Sequence, residues 1–563
     1  MVPTDAETIH QRRWLALGVL CFSLLVIGLD NTILNVALPR LAEELNATNS
    51  ELQWIVDGYT LVYAGLLLTS GSLGDRFGRK GALTIGLAIF GVGSMVSAFA
   101  TSTEMLIATR SLMGVGAALI MPGTLSIMTN VFHEPKERAR AIGIWAGVAS
   151  AGIALGPLIG GFLIGHFWWG SVFLVNVPVA IIAILAGHFV LPTSRDPEAK
   201  RLDPIGAVLS IAALMTILWA VIEAPTKGWG STTILTAFGL GAALLAGFIV
   251  WELSCSHPML ELRFFRNRRF TAANVAVTLV FFAMFGSSFL ITQELQFVLG
   301  YDALKAGLAM LPIALPMLVL GPVSARLVER FGTKVVVTGG LLMVTAGLGL
   351  LSRITMSSGY ADVCVPMFVL ATGMGLAMAP ATESIMGSLP RNRAGIGSAM
   401  NDTTRQMGGA LGVAVIGSVM ASVYRPQVTE NLAGSGLPVP AVDAISDQLG
   451  AVYTVVDKMG LQGAEAANVI DAARSAFLDG FGGAVLVGAA VALVGALVTL
   501  VFLPARAVDP DIEPHTPPPG VSADEIALIA AGSADALIAL ESDDPEAVSA
   551  SRSEIDPSSS LAD

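Results

Sequence analysis

The decapeptide GSLGDRFGRK occupies residues 71–80, and a related decapeptide, ARLVERFGTK, occupies residues 325–334. Both copies have Leu, Arg, Phe, Gly and Lys at the same spacing, and Glu329 takes the place of Asp75. Each copy lies on a short turn between two long apolar stretches. Two copies at matching positions predict a chain of two similar halves related by an axis along the membrane normal, an arrangement that many transporters share.

Apolar stretches long enough to cross a bilayer recur along the chain. The 563 residues are 54% hydrophobic and 13% charged, whereas soluble domains have about 25% charged residues. A crossing helix needs about 20 mainly apolar residues. The predicted fold is therefore an all-α polytopic membrane protein with 14 spans. The predicted spans are 14–38, 52–73, 81–101, 104–129, 138–165, 171–191, 204–223, 232–252, 271–299, 304–327, 335–353, 363–387, 396–423 and 480–503.

The distribution of Lys and Arg predicts the orientation of these spans. With a cytoplasmic N-terminus, the inner segments hold 22 Lys and Arg residues, the outer segments hold 7, and Arg110 and Arg405 lie inside spans. Cytoplasmic loops of membrane proteins carry such an excess of basic residues. We therefore expect a multi-pass protein of the cell (inner) membrane with both termini in the cytoplasm.

The repeat divides the spans into six plus six, with an inserted pair between the two bundles. The tail has 13 acidic residues against Arg506 and Arg552, and its Pro- and Ser-rich composition predicts a mostly disordered segment. Since the acidity belongs to this tail, nothing supports a nucleic-acid partner. The predicted domains are the cytoplasmic N-terminus (1–13), the N-terminal bundle (14–191), the inserted pair with its linkers (192–269), the C-terminal bundle (270–505) with a long outer loop (424–479), and the tail (506–563).

The repeated turn is also a candidate gate. Gly78 and Gly332 permit a tight turn, and an acid and bases at fixed spacing can pair with neighbouring helix ends. Such contacts can hold the cytoplasmic side closed in one state and release it in another. The alternative is a set of basic anchors, which requires neither the glycine nor the acid. The candidate gating residues are Gly71, Asp75, Arg76, Gly78, Arg79, Lys80, Glu329, Arg330, Gly332 and Lys334.

An acid also lies inside the first apolar span. In VIGLDNTILNVALP (26–39), Asp30 is surrounded by Val, Ile and Leu, where an ionised carboxylate costs about 3 kcal/mol on insertion scales. A rise of about 1.5 Å per residue places Asp30 about 14 Å, Asp57 about 8 Å and Arg110 about 9 Å from the predicted outer ends of their helices. We expect the three side chains to face a common water-filled cavity, where they can pair.

Asp30 is the first candidate for a proton carrier or for a contact with a cationic substrate, because protons and cations can then compete for one carboxylate. The alternative is a structural Asp30 that is hydrogen-bonded to the fourth span. Asp57 is a further candidate, or else an interfacial acid beside Trp54 and Tyr59. Arg110 is a structural partner of an acid or a switch that tunes the proton site.

The C-terminal half offers a different set of charged residues. Glu383 lies on a stripe of small residues in the twelfth span and is a second candidate acid. Asp402 and Arg405 are spaced i, i+3 and can neutralise each other on one helix face, so a functional and a structural role are equally open for this pair. Glu294, near the outer end of the ninth span, is expected to be interfacial.

Glycines and aromatic residues suggest helix contacts and a pocket. In GIALGPLIGG (152–161), Gly152, Gly156 and Gly160 leave one helix face without side chains, which permits close helix packing, and Pro157 can bend the helix. Aromatic and Met side chains could form an adaptable pocket for lipophilic cations, although lipid contact or core packing is the alternative for each. The pocket candidates are Trp54, Tyr59, Tyr63, Met284, Phe285 and Met310.

Together these motifs resemble the 14-helix drug:proton antiporter branch of the major facilitator superfamily, over about residues 12–505. The similar segments are LDNTILNVALP (29–39), GSLGDRFGRK (71–80), RSLMGVGAAL (110–119), GIALGPLIGG (152–161) and the segment 380–412. The resemblance implies the major facilitator fold, with two pseudo-symmetric six-helix bundles. It also implies a hinge linked to antiport at Gly152, Gly156, Pro157, Gly160 and Gly161.

Two departures from the family pattern affect the expected substrate. Many relatives carry Trp-Arg-Trp before the FLxNVP segment, but this chain reads WWGSVFLVNVP (168–178), without the arginine. Some of the exporters carry an acid in the tenth helix, whereas LPIALPMLVLGP (311–322) has none. A weaker preference for divalent cations is therefore expected.

The sequence thus predicts a proton-coupled antiporter that exports hydrophobic or cationic compounds by alternating access. No Walker lysine motif occurs, so protons are the expected driving ion. The alternatives are a dedicated exporter of one endogenous compound, such as an antibiotic, siderophore or lipid, and, less favoured, a proton-coupled uptake transporter. An enzyme is not expected, nor is a cofactor or a metal, because neither a catalytic triad nor a metal-ligand pattern occurs among the His and Cys residues. The expected partners are protons, a small-molecule substrate and the lipid bilayer, and the chain is expected to act as a monomer.

Overall fold

The computed structural model describes residues 6–132, 134–193, 203–258, 260, 262–388 and 394–505. These residues are almost entirely helical. A 3-10 helix covers Leu262–Arg266, and a π-helical segment covers Glu294–Val298. The α-helices are α1 (Ala6–Glu44), α2 (Asn49–Phe77), α3 (Arg79–Ala98), α4 (Thr103–Val131), α5 (Pro135–His166), α6 (Ser171–Leu174), α7 (Asn176–Val190), α8 (Pro204–Lys227), α9 (Thr232–Ser254), α10 (Arg268–Gln293), α11 (Ala303–Ala309), α12 (Leu311–Phe331), α13 (Thr333–Leu351), α14 (Tyr360–Met386), α15 (Ala394–Asn431), α16 (Val439–Asp447), α17 (Ala451–Lys458) and α18 (Gly463–Phe502).

Eleven helices among the described residues are long and apolar enough to cross a membrane. The other three predicted spans, 52–73, 138–165 and 304–327, are helical as well and lie in α2, α5 and the α11–α12 pair. The protein is therefore a multi-pass, all-α membrane protein. That all fourteen segments cross the bilayer stays a prediction.

The predicted outer loop is largely helical. Helix α15 continues to Asn431 and α18 already begins at Gly463, so the connection between them is shorter than residues 424–479. The short helices α16 and α17 fill most of it. Helix α1 also extends beyond its predicted span, which ends at residue 38, because it continues through Pro39 to Glu44. The apolar pattern marks the membrane-buried part of a helix, and a helix can continue beyond it.

The repeated decapeptide forms the same turn in both halves. Gly78 joins α2 to α3 with a φ of 116°, and Gly332 joins α12 to α13 with a φ of 83°. Residues with a side chain rarely adopt such positive φ values. The predicted role of the two glycines in a tight turn is confirmed.

Helix packing repeats between the two halves of the chain. In the N-terminal half α1 packs on α5, α2 packs on α4 and α3 packs on α4. In the C-terminal half the corresponding pairs are α10 with α15, α12 with α14 and α13 with α14. The most extensive contacts between the halves are those of α2 with α15 and of α5 with α11, and α1 also contacts α10. Helix α8 of the inserted pair lies against both α2 and α15.

The two halves meet at the side where α1 ends, which is the predicted outer side. The Gln296 amide donates to the Val36 carbonyl oxygen at 3.1 Å, and the Gln448 amide donates to that of Ala42 at 3.0 Å. The Ser418 hydroxyl donates to the Gln53 amide oxygen at 3.4 Å. We call this set of contacts, together with the α5–α11 contact, the outer junction.

At the opposite side, the described contacts stay within one half. The Arg13 guanidinium pairs with Glu137 at 2.9 Å, inside the N-terminal half. The Lys80 ammonium donates to the His188 carbonyl oxygen at 2.7 Å. In the C-terminal half, the Arg269 guanidinium donates to the Gly387 carbonyl oxygen at 3.2 Å. The described structure is therefore held closed at the predicted outer side.

Candidate functional site

Asp30 and Arg110 form a buried ion pair between α1 and α4. The Arg110 Nη1 atom lies 2.5 Å from Asp30 Oδ2, and the two side chains are 2% and 0% exposed. The Arg110 Nε atom donates to the Ile55 carbonyl oxygen of α2 at 3.2 Å. The guanidinium therefore ties α4 to both α1 and α2, and the predicted proximity of Asp30 and Arg110 is correct.

Asn176 is a third member of this site, and the sequence analysis assigned it no role. Its Nδ2 atom lies 3.2 Å from Asp30 Oδ1 and 3.1 Å from the Ser94 hydroxyl oxygen. Ser94 in turn donates to the Phe173 carbonyl oxygen at 2.8 Å. Asn176 lies in the FLVNVP segment. A polar amide inside an apolar span often marks a functional site, and this feature of the sequence could have identified Asn176. We call Asp30, Arg110 and Asn176 the buried network.

Protein encloses the buried network, which differs from the expectation of a common water-filled cavity. The Arg110 guanidinium lies 4.3 Å from the centre of the Tyr59 ring and 5.9 Å from that of Phe173. Asp30, Asn176 and Arg110 are all at most 1% exposed. A buried charge requires full compensation by partners, and here the compensation comes from side chains and a carbonyl oxygen.

Asp57 is equally buried but lies apart from the buried network. Its side chain is 0% exposed, and neither carboxylate oxygen has a hydrogen-bond partner among the described residues. It lies one turn from Gln53, which contacts Gly417, and one turn from Leu61, which packs with Ala414. Residues spaced by four share a helix face, so Asp57 lies on the face of α2 toward α15. Its alternative interpretation as an interfacial acid is wrong.

The glycines of α5 contact two different partners. A Cβ on Gly152 would lie 3.2 Å from Gly28 of α1, and one on Gly156 would overlap the Thr32 hydroxyl. Gly160 packs on Ile33 in the same way. These contacts lie on both sides of Asp30 along α1. The predicted close packing of the glycine face is therefore confirmed.

The other face of α5 reaches across to the C-terminal half. A Cβ on Gly161 would overlap the Ala303 carbonyl oxygen of α11, and one on Gly307 of α11 would overlap the Pro157 carbonyl oxygen. Helix α5 thus touches the helix that carries Asp30 with one face and the outer junction with another. The hinge role of these residues stays a prediction.

Asp402 and Arg405 pair within α15, as their spacing predicts. The Arg405 Nη1 atom lies 3.9 Å from Asp402 Oδ1, with 25% and 14% of the side chains exposed. The guanidinium lies 5.4 Å from the centre of the Phe281 ring, and it contacts the Thr382 hydroxyl at 3.5 Å. Both charges also act electrostatically on Tyr63 of α2. This pair therefore lies where the two halves face each other.

The remaining charged candidates lie toward the predicted cytoplasmic side. Glu383 is exposed on α14. Gly71 and Asp75 lie in α2, but their surroundings fall outside the described residues. Lys80 is buried and also donates to the Leu191 carbonyl oxygen at 2.9 Å. Gly332, the turn glycine of the second copy, is buried as well. The remaining charged members of the candidate gate are partly or fully exposed: Arg76, Arg79, Glu329, Arg330 and Lys334.

The six pocket candidates have different packing partners among the described residues, and a shared pocket stays a prediction. Trp54 packs in a separate apolar cluster with α8, and Tyr59 lies under the Arg110 guanidinium. Met310 contacts the Thr292 hydroxyl at 3.7 Å, and Met284 is buried in α10. Only Tyr63 and Phe285 lie near the Asp402 pair. Phe285 does so through Phe281, on which its ring stacks at 6.2 Å.

A cavity of about 360 Å³ opens elsewhere, at the predicted outer side, between the start of α2 and helices α8, α15 and α16. Its acids already have partners. Glu51 accepts from the Thr103 hydroxyl at 2.8 Å, and Asp447 pairs with Arg425 at 2.9 Å. Burial raises the pKa of the Asp447 carboxyl above its ordinary value, and Arg425 opposes this increase. None of the predicted site residues lines this cavity.

Known proteins resemble this chain over most of its length. A sequence profile described as the Major Facilitator Superfamily matches residues 20–413. The chain is 36% identical over 487 residues to the multidrug efflux pump LfrA of Mycolicibacterium smegmatis, covering 86% of this chain and 95% of that protein. It is 33% identical to the tetracenomycin C resistance and export protein of Streptomyces glaucescens, over 90% of this chain and 94% of the relative.

A third relative and two solved structures also resemble this chain. The methyl viologen resistance protein SmvA of Salmonella typhimurium is 34% identical, over 83% of this chain and 93% of its own length. A bacterial homologue of the human lysosomal transporter Spinster has a TM-score of 0.58 at 18% identity, over 87% of this chain and 98% of that one. The human organic anion transporter MFSD10 has a TM-score of 0.54 at 13% identity, over 87% and 99%. At these identities the two structures support the fold.

Proposed function

This chain belongs to the Major Facilitator Superfamily, and from that premise we propose that it is a proton-coupled antiporter that exports hydrophobic or cationic small molecules. The buried network is the observation that carries the proposal. A lone acid inside an apolar span is costly, and here it is kept in an ion pair that joins three helices. Intramembrane acids with such partners are typical of proton pathways.

The charge of Asp30 sets the contacts of Arg110. When Asp30 is ionised, its carboxylate binds Arg110 Nη1 and accepts from the Asn176 amide. When Asp30 takes up a proton, the ion pair is lost, and Arg110 keeps the Ile55 carbonyl oxygen and the face of the Tyr59 ring. Protonation therefore loosens α1 from α4, and in this proposal the close Asp30–Arg110 contact belongs to the state with the outer junction closed.

Helix α5 can transmit such a change to the outer junction. Gly152 and Gly156 pack against α1 on either side of Asp30, and Gly161 packs against Ala303 of the other half. Since these glycines bring the helices into close contact, a shift of α1 moves α5. Packed interfaces of this kind respond as units, so the proton site and outer closure can be coupled.

The substrate contacts that we propose lie around Asp402. Its carboxylate is partly exposed, and the aromatic rings of Tyr63, Phe281 and Phe285 lie nearby from both halves. Aromatic faces and a carboxylate attract lipophilic cations. Glu383, exposed toward the predicted cytoplasmic side, is a first contact for a cation that enters from there.

The names of the relatives support export of small molecules. One relative is a multidrug efflux pump, another is a methyl viologen resistance protein and a third is a resistance and export protein for tetracenomycin C. The first two names favour broad or cationic substrates, and the third favours a dedicated compound. We place a broad exporter first because the Asp402 region presents an acid among aromatic rings rather than a set of directional hydrogen-bond donors.

Replacing Asp30 by Asn tests the proton role. Asn keeps the shape and can still contact Arg110, but it cannot exchange a proton. We expect substrate-induced proton movement in proteoliposomes to fall to background with Asp30→Asn, at least about tenfold, while energy-independent exchange of methyl viologen continues. The control is Asp457→Asn, which removes the same charge from the exposed outer helix α17.

Proton coupling of unchanged size and pH dependence in Asp30→Asn would contradict the assignment of Asp30. Substrate breadth is measured in the same vesicles with methyl viologen, a monovalent lipophilic cation and neutral antibiotics. Transport of a single compound among these would favour the dedicated exporter.

A further inference from the structure

Glu294 is a second buried acid that the buried network does not include. It begins the π-helical segment that follows α10, and its side chain is 0% exposed. Neither carboxylate oxygen has a hydrogen-bond partner among the described residues. It lies at the predicted outer end of α10 as expected, but protein encloses its side chain there.

The π-helical segment is part of the outer junction. Gln296 donates to the Val36 carbonyl oxygen of α1, which is the direct link between the halves at this place. Phe297 uses its carbonyl oxygen to accept from Arg474 Nε at 3.0 Å and from the Tyr453 hydroxyl, and its ring stacks on that of Tyr453. Single π-helical turns inside membrane helices often mark functional sites. Glu294 thus lies two residues from the atom pair that closes the junction.

The charged groups around this segment leave Glu294 without a counter-ion. Three of the basic groups have partners other than Glu294: Arg474 binds the Phe297 carbonyl oxygen, Lys305 lies 3.8 Å from the centre of the Tyr301 ring, and Arg40 pairs with Glu43. The charged and titratable side chains that the surrounding elements bring to this end are Arg40, Glu43 and Glu44 of α1, Asp302 and Lys305 beside α11, Arg353 after α13, Tyr360 and Asp362 of α14, Tyr424, Arg425 and Glu430 of α15, Tyr453, Asp457 and Lys458 of α17, and Asp471 and Arg474 of α18. None of these forms a hydrogen bond or an ion pair with Glu294 in the described part of the chain.

We propose that Glu294 is a proton-binding residue of the outer junction, neutral while the junction is closed and ionised when it opens to water. An unpaired ionised carboxylate cannot remain in such an enclosed place without a large cost, so closure requires a proton on Glu294. Opening separates Gln296 from Val36 and admits water, which stabilises the carboxylate. The inference concerns a residue of the other half, and it rests on the proposed function only in taking protons as the coupling ion.

This arrangement makes outer closure depend on the pH outside. Once Glu294 ionises in the open state, the ratio of open to closed molecules rises by up to about tenfold per pH unit, because each opening releases one proton. A proton from the outside then returns the junction to its closed form. Asp30 and Glu294 would act in opposite halves, one on the α1–α4 contact and the other on the contact between the halves.

Cysteine labelling from outside tests the proposal without any transported compound. Val36 is 0% exposed in the closed junction, whereas Val439 on α16 is 72% exposed. In a chain with Cys21, Cys255 and Cys364 replaced by Ser, Val36→Cys reports opening, and Val439→Cys corrects for the pH dependence of the thiol reaction itself. A membrane-impermeant maleimide is added to reconstituted protein between pH 5.5 and pH 8.

We expect normalised labelling at position 36 to rise severalfold with pH in the parent chain. In Glu294→Gln, which mimics the protonated acid, labelling should stay low at every pH. The matched control is Asp302→Asn, a nearby exposed acid that caps α11 by accepting from the Lys305 backbone N–H at 2.7 Å. This control should keep the full pH dependence.

Full pH dependence in Glu294→Gln, or a parent chain without any, would overturn the proposal. If Glu294→Gln does not yield a monodisperse protein, Glu294→Leu takes its place with the same expected result. Asp30→Asn separates the two acids, since labelling at position 36 should still rise with pH in this variant even where its overall level changes through α5. A profile lost in Asp30→Asn but kept in Glu294→Gln would assign the switch to Asp30 instead. Conversely, normal proton coupling in Asp30→Asn with the expected labelling would refute the proposed role of Asp30 and leave Glu294 standing.

Discussion

The two halves of this chain share a turn and differ in their ion pairs. Gly78 and Gly332 adopt the same positive-φ turn in equivalent places. The pair in the N-terminal half joins α1 to α4 across 80 residues of sequence and is almost fully buried. The pair in the C-terminal half joins Asp402 to Arg405 within a single helix, and it is partly exposed.

The two pairs therefore depend on conformation in different ways. A pair between two helices exists only while those helices are correctly placed, so its formation depends on conformation. A pair spaced i, i+3 persists wherever its helix goes. The duplicated scaffold therefore carries two dissimilar pairs, a buried interhelical pair in the N-terminal half and a partly exposed pair within one helix in the C-terminal half.

The largest expected effect comes from removing one partner of each pair. Arg110→Met leaves Asp30 buried without its counter-ion, and the free energy of unfolding should fall by about 3–5 kcal/mol. Arg405→Met removes a longer, partly exposed contact and should cost about 1 kcal/mol or less. Unfolding of the purified proteins in detergent, by heat or by SDS titration, measures both values.

The double variant Asp30→Asn/Arg110→Met is the control, because it removes both charges and should recover much of the lost stability. Equal losses for Arg110→Met and Arg405→Met would show that the two pairs do not differ in the way that burial implies.

A smaller effect is expected where α5 crosses to the other half. Gly161→Ala forces a methyl group against the Ala303 carbonyl oxygen and should destabilise outer closure by about 1–3 kcal/mol. Gly165→Ala, one turn further on the same face, meets Leu304 at an ordinary 3.9 Å and is the matched control. Labelling of Val36→Cys should increase only in the first variant. An increase in both would mean that the close approach at Gly161 does not hold the junction closed.

The smallest effect is expected at the shared turn. Gly78→Ala and Gly332→Ala place a side chain at positive φ, which should cost about 1–2 kcal/mol of stability each. Gly81→Ala and Gly339→Ala lie in the helices that follow and have open space around the added methyl, so they should be neutral. Thermal unfolding compares the four variants. At Gly332 the added methyl would also overlap the Ala505 carbonyl oxygen, so the loss there should be the larger of the two. Tolerance at either turn glycine would break the equivalence of the two halves.

The sequence predicted best those contacts that follow from the spacing of residues within one helix. The i, i+3 spacing of Asp402 and Arg405 and the glycine face of α5 both follow from the geometry of one helix, and both predictions were correct. Depth estimates also placed Asp30 and Arg110 in the same, outer half of the membrane. They could not tell which way Asp57 points, because depth along a helix carries no information about the neighbour on each face.

Residues that depend on distant parts of the chain were missed or misjudged. Asn176 joins Asp30 from 146 residues away. Glu294 was expected at the interface, but α1 and the outer loop enclose the segment in which it lies. The pocket candidates have different packing partners, because each side chain packs on the helix that lies opposite, and a single span does not reveal that helix.

By itself the sequence determined the membrane class, the two-fold repeat, the turn glycines and the superfamily. These follow from hydrophobic length, from glycine at fixed spacing and from motifs that span only a few residues. Only the tertiary structure decided which acids are paired, which are buried without a partner and which side of the molecule is closed. Those properties depend on the surroundings that other helices provide, since the cost of a charge in an apolar medium is set by what lies next to it.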